Sequence, residues 1–120
     1  MRTEDIPRTG PSDWRREPDA AVNAILGKLG EEAGELATRC CRAMIQGLVA
    51  IDPGDGRMNL SHLEDEIADV RAVIALLDEE IGLNNAKIAA RQRVKEDYKR
   101  PWIEAQRKKP HPAPLETEEG

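Results

Sequence analysis

Aromatic side chains are nearly missing from this chain of 120 residues, which has no Phe, one Tyr and two Trp. That scarcity excludes a core of stacked rings and argues against aromatic-rich strands, so any interior must be built from Leu, Ile, Val, Ala and Met. Long apolar runs are lacking too. The longest strongly apolar stretch, Val73 to Leu77, is far too short to span a bilayer, and the opening Met1-Arg2-Thr3-Glu4-Asp5 has no apolar h-region. The expectation is a cytoplasmic protein with no membrane partner. A basic excess is also wanting: 18 Lys and Arg against 23 Asp and Glu leave a net charge of -5, which argues against a nucleic-acid polymer as partner. The cysteines are two and adjacent, Cys40 and Cys41. On a helix their side chains diverge by about 100°, which argues against a mutual disulfide, and they read as core and flank residues.

What is present is 39% hydrophobic and 34% charged residues without strand-like alternation, the balance of an all-α protein. Residues 1–18 hold three prolines and many charges but no helical period, and read as a flexible arm anchored by Ile6 and Trp14. Asp19 is the expected N-cap of a helix running to about Gln46, with Gly47 making the C-terminal turn. After the turn-rich segment 51–56, Ser61 and Glu64 form a capping-box signature for a second helix ending near Gly82. Asn84 is expected to cap a third helix through about Tyr98, stopped by Pro101, with Leu83, Ala86, Ala90 and Val94 as a thin apolar stripe. Lys87, Arg91 and Lys95 make a basic ridge along it. Residues 19–104 then form the helical domain, and 105–120, with His111, a disordered tail. So small a core predicts an antiparallel helical bundle completed by homo-oligomerisation, as a homodimer or homotetramer.

Two acidic pairs stand out: Glu32-Ala33-Gly34-Glu35 in the first helix and Glu66-Ile67-Ala68-Asp69 in the second. The offset that carries Glu32 onto Glu66 and Glu35 onto Asp69 also carries Leu29 onto Leu63, Leu36 onto Val70 and Cys40 onto Ile74. The helices read as a pseudo-repeat. At about 100° per residue, Glu66 lies amid Leu63, Ile67, Val70, Val73, Ile74 and Leu77, and Asp69 lies between Val73 and Leu76. Ile25, Leu29, Leu36 and Ala43 flank Glu32 within about 60°, Glu35 sits just outside that sector, and Glu31 faces solvent. Carboxylates withdrawn from water in a group repel one another and are costly without a cation. An oxygen-only cage of four acids suits Mg²⁺, or Mn²⁺, held by Glu32, Glu35, Glu66 and Asp69.

With its E-x-x-E in a long helix, a loop, then E-x-x-D followed by Val and an apolar run, the chain resembles the MazG-like branch of the all-α nucleoside triphosphate pyrophosphohydrolases, over about Ala20 to Tyr98. The resemblance implies Mg²⁺-dependent hydrolysis of a (deoxy)nucleoside triphosphate to the monophosphate and pyrophosphate in an oligomer of helical bundles. It places the same four acids at the metal-ligand positions. It also implies phosphate contacts from the following helix, for which Lys87 and Arg91 are the matching residues, although the segment Lys87-Ile88-Ala89-Ala90-Arg91 departs from the family's commoner endings.

Among the acids, Glu35 is assigned to orient or deprotonate the attacking water. Lys28 and Arg39, about a turn either side of the first pair, can meet phosphate oxygens or form i, i+4 ion pairs, Lys28 with Glu32 and Arg39 with Glu35. His62 precedes Glu66 by one turn and reads as an ordinary first-turn residue, and Trp14 and Trp102 read as packing anchors. The competing reading is a non-enzymatic helical interaction module whose acids make salt bridges across an oligomer interface to Arg39, Arg42, Arg71 or Lys87. A di-iron or di-manganese carboxylate bundle is disfavoured, because neither histidine follows a Glu at the Glu-x-x-His interval.

Overall fold

The computed structural model describes Asp5, Arg8 and residues 10–110. Three helices follow in order: α1 (Ala20–Gln46), α2 (Asn59–Ile81) and α3 (Asn85–Arg107), and no strand occurs among the described residues. The all-helical expectation therefore holds. The chain divides into two compact units, residues 1–83 and 84–120. Ile6 and His111 lie outside the described residues.

In the first unit α1 and α2 pack against each other as a hairpin. The α1 start is the expected one, since Asp19 accepts through its side chain from the Val22 backbone N–H. Its end needs a glycine: Gly47, at φ 99°, turns the chain while its N–H donates to Ala43 O. The connection over residues 47–58 is pinned by an isolated bridge between Ile51 and Met58 and by backbone bonds from Asn59 N to Ala50 O and Leu60 N to Leu48 O.

Helix α2 begins two residues before the expected capping box, with Met58 at the N-cap and no side-chain cap. The reason is tertiary. Ser61 Oγ accepts from Arg57 instead of capping, while Asn59, only 2% exposed, donates to Gln46 Oε1 and to Gly47 O and so ties the start of α2 to the end of α1. Gly82, in the left-handed region at φ 68°, closes α2 with its N–H on Asp78 O.

Val73 and Leu77 are the buried hydrophobic side chains of the described residues. At about 1.5–3 kcal/mol for each buried aliphatic side chain, they give the hairpin a thin core. Much of the apolar surface remains open: Leu26, Met44, Ile45, Val49, Ile74 and Leu76 are exposed. Cys40 and Cys41 are exposed as well, so the expectation of core and flank positions fails. Trp14, 97% exposed, is not a packing anchor among the described residues.

The second unit contains α3, whose side chains are exposed except for the half-buried Gln106. Asn84 caps it by accepting from Lys87 N, as expected. The helix does not stop before Pro101 but continues through it to Arg107. Proline inside a helix costs about 3 kcal/mol through a missing donor and ring crowding. Ion pairs of Arg100 with Asp97 and of Arg107 with Glu104, each spanning three residues, brace both sides of the proline. Lys99 Nζ lies 5.8 Å from the centre of the Trp102 ring, an exposed cation–π contact.

Candidate functional site

The packing of α1 on α2 brings acids of the two pairs together. Glu32, Glu35 and Glu66 each present a carboxylate oxygen within 4.8 Å of the others. Glu32 is only 9% exposed, Glu66 is half-buried and Glu35 is exposed. The apolar neighbours expected around Glu32 and Glu66 (Leu29, Leu36, Leu63, Val70) are themselves half-buried, which accounts for the withdrawal of those two carboxylates from water. Asp69, expected within the apolar sector, is exposed, yet its charge still acts on Glu32.

Among the described residues, the cluster's carboxylates are offset by one lysine, Lys28, which is more than half exposed. Glu32 Oε2 and Glu66 Oε2 are buried and have no hydrogen-bond partner. Burial first, then the charge of Glu35, pushes the Glu32 carboxyl above the usual range, with Asp69 adding to the shift and Lys28 opposing it. Lys28 Nζ stands 3.3 Å from Glu31 and 3.6 Å from Glu32, so the i, i+4 pair expected with Glu32 is present. The lysine is more than half exposed, and water screens its contribution.

The residues fit a small oxygen-seeking cation. Around Mg²⁺, at about 2.1 Å from each oxygen, ligand atoms stand about 3 to 4 Å from one another. The observed bound of 4.8 Å is close enough for rotation of the exposed Glu35 side chain to satisfy it. Two orphaned oxygens on facing helices are the feature that a cation would satisfy and that solvent-facing acids would not produce.

A second polar group fills the loop beside this cluster. Asp52, 3% exposed, accepts from Gly54 N on Oδ1 at 2.9 Å and from Arg39 and Arg42 on Oδ2 at 3.0 and 3.4 Å. Arg39 is thus on Asp52 and not on Glu35. The backbone N–H of Gly54 is the first cause that holds the Asp52 carboxyl below its ordinary range, with Arg39 and Arg42 contributing against burial. Asp55 is likewise lowered, chiefly by the Arg57 backbone N–H.

His62 is only 7% exposed. Its Nε2 approaches Asp55 Oδ2 to 2.6 Å without the alignment of a hydrogen bond, and Arg57 Nη1 lies 3.4 Å from its Nδ1. Arg57 also donates to Asp65 Oδ2 at 2.7 Å. Although Asp52, Asp55 and His62 converge, this group does not suit a metal. A guanidinium facing Nδ1 makes that nitrogen the acceptor and leaves the proton on Nε2, while two further guanidiniums already neutralise Asp52.

Lys87 and Arg91 lie one turn apart and exposed on α3, in the second unit. No helical period reaches the loop acids Asp52 and Asp55. Their signal is the Asp-Pro-Gly-Asp-Gly run, in which Asp side chains bond backbone N–H groups two residues on, as Asp52 does with Gly54 and Asp55 with Arg57. Comparison with family models, with curated proteins and with solved structures finds no match to this chain.

Proposed function

We propose that the chain is a divalent-cation-dependent nucleoside triphosphate pyrophosphohydrolase of the MazG-like kind, splitting a (deoxy)nucleoside triphosphate into the monophosphate and pyrophosphate. The observation that carries this reading is the pair of buried, unpartnered carboxylate oxygens, Glu32 Oε2 and Glu66 Oε2, on helices that also bring Glu35 to the same point. Glu32, Glu35, Glu66 and Asp69 would hold Mg²⁺ or Mn²⁺. Bound there, the ion supplies neutralisation of phosphate charge and a more acidic water.

This chain's own side chains do the rest. Glu35, the exposed acid of the converging three, orients the attacking water and takes its proton on a carboxylate oxygen. Lys28 Nζ, 3.6 Å from Glu32, would meet a phosphate oxygen; Lys87 and Arg91, the further phosphate residues that the resemblance implies, lie on α3 in the second unit. The hairpin leaves Met44, Ile45 and Val49 open near the end of α1, and in this reading a second copy covers them, giving a homodimer or homotetramer. The rival reading, an interaction module held by salt bridges, loses two of its cations, because Arg39 and Arg42 are already engaged by Asp52.

Pyrophosphate release from a panel of common and modified nucleoside triphosphates tests the proposal, with Mg²⁺, Mn²⁺ or excess EDTA and with Glu66→Gln as the blank. Release that needs the metal and vanishes in the variant is the expected result. No release from any nucleotide by a chain with intact helicity would favour the interaction module.

A further inference from the structure

We propose that Asp52 is a positioning residue for the carboxylate centre: by holding Arg39 on the connecting loop, it keeps a guanidinium off Glu35 and leaves that acid free for a divalent cation. The inference rests on the cation-binding reading of Glu32, Glu35, Glu66 and Asp69, and deepens it.

Glu35 and Arg39 are four residues apart on α1 with the acid N-terminal to the base, the favoured order for a helical ion pair. That pair is not made. Arg39 Nη1 donates to Asp52 Oδ2 at 3.0 Å instead, between side chains 20% and 5% exposed. Arg42 adds a second bond to the same oxygen, and Gly54 N fixes the other oxygen, so Asp52 presents a carboxylate whose orientation is set by the loop itself. A pair at a nearly buried acid outcompetes an exposed pair along a helix, which water screens and side-chain freedom weakens.

Near the start of α2 the bases are held in both directions, one by a loop acid and one by an acid of the helix. His62, one turn before Glu66, faces Asp55, and Arg57 is drawn to Asp65. Four cationic or imidazole side chains around the hairpin's connection are therefore occupied by acids outside the cluster. Among the described residues, Lys28 is the cation that reaches the cluster. An arginine beside Glu35 would compensate the site and repel an incoming ion; with Arg39 on Asp52 the site keeps its negative charge. A guanidinium placed about 6 Å from a divalent ion in a water-like medium weakens its binding by about three- to tenfold after screening by salt.

The test is Mn²⁺ binding to the full chain without nucleotide, read from the paramagnetic resonance of free Mn²⁺, for the native protein, Arg39→Gln, Asp52→Asn and the double variant. Asp52→Asn is expected to weaken binding about three- to tenfold by releasing Arg39, and adding Arg39→Gln to it should restore the native affinity to within about twofold. Arg39→Gln alone should leave affinity within about twofold of native. Unchanged binding in Asp52→Asn, or no recovery in the double variant, overturns the proposal. If circular dichroism shows that Asp52→Asn does not fold, Arg39→Gln decides: tightening of about threefold or more would mean that Arg39 already compensates Glu35, against the inference, and unchanged binding supports it. Absence of Mn²⁺ binding in the native protein overturns the cation reading itself, and is separable because it appears before any variant is made.

Discussion

A site that binds a divalent cation only when α1 and α2 are packed together must raise the stability of the folded chain as that ion is added. The unfolded chain has no equivalent cluster, because Glu32 and Glu66 are brought within 4.8 Å only by the hairpin. At free Mg²⁺ one hundred times the dissociation constant, the linkage is worth about 2.7 kcal/mol. For a unit of fewer than about one hundred residues, each kcal/mol moves the melting midpoint by about 4–8 °C, so the expected rise is about 10–20 °C. Glu66→Gln removes a charge with little change of volume at a half-buried position whose Oε2 has no partner. It should abolish most of the Mg²⁺ increment, and in EDTA its midpoint should equal or exceed that of the native protein, since a like charge has gone. The assay is thermal unfolding by far-ultraviolet circular dichroism across a Mg²⁺ series, with monovalent salt adjusted to constant ionic strength, because screening alone relieves carboxylate repulsion. A Mg²⁺ effect no larger than that of matched monovalent salt would refute the reasoning. So would a metal-free Glu66→Gln melting far below native, which would identify Glu66 as a partner in a stabilising ion pair.

Two further outcomes are expected. In EDTA the stability of the folded chain should fall as pH rises from the ordinary glutamate value near 4.5 toward neutrality, because the raised Glu32 carboxyl keeps in the folded state a proton that the unfolded chain has lost. Asp52 and Asp55, lowered in the fold, act oppositely: their stabilisation is present above about 3.8 and is lost as pH falls through their folded values. The metal-free melting midpoint therefore passes through a maximum in the acid range, and Glu32→Gln should flatten its neutral side; a midpoint that rises steadily to neutrality in the native protein would contradict the assignment. Sedimentation velocity should find the native chain self-associated and Ile45→Glu shifted toward monomer with its helicity kept, since Ile45 is 79% exposed. A monomeric native chain would refute the second-copy covering.

How far the sequence reaches is clearest where short-range rules act alone. Asp19 and Gly47 bound α1 as a cap and a left-turning terminus require, and Asn84 opens α3. The rule fails at Ser61, because the start of α2 is decided by Asn59 reaching back to Gln46 and Gly47, a contact between elements that no local pattern encodes. It fails at Pro101 because an exposed helix can leave a carbonyl to water and carry on. Helical period likewise makes the convergence of Glu32 and Glu66 legible, since one face of each helix must turn inward, but it overstates Asp69, which lies near enough to the edge of the apolar sector to remain exposed.

Arg39 marks the limit of that logic. Read along α1, it is a partner for Glu35, and the acid cluster then looks half neutralised. Only the loop reverses this: Asp52, in an aperiodic Asp-Pro-Gly-Asp-Gly run, is oriented by Gly54 N and takes Arg39 and Arg42 together. The same carboxylate thus does two opposite things to charge in the hairpin, gathering positive side chains at the connection and leaving the acids along the helices with Lys28 as their nearby cation. A helical face supplies the acids of a cation site, but whether they stay available depends on what the loops do with the neighbouring bases. Spacing along one helix cannot decide that, because the competing acid belongs to a segment with no period from which its direction could be read.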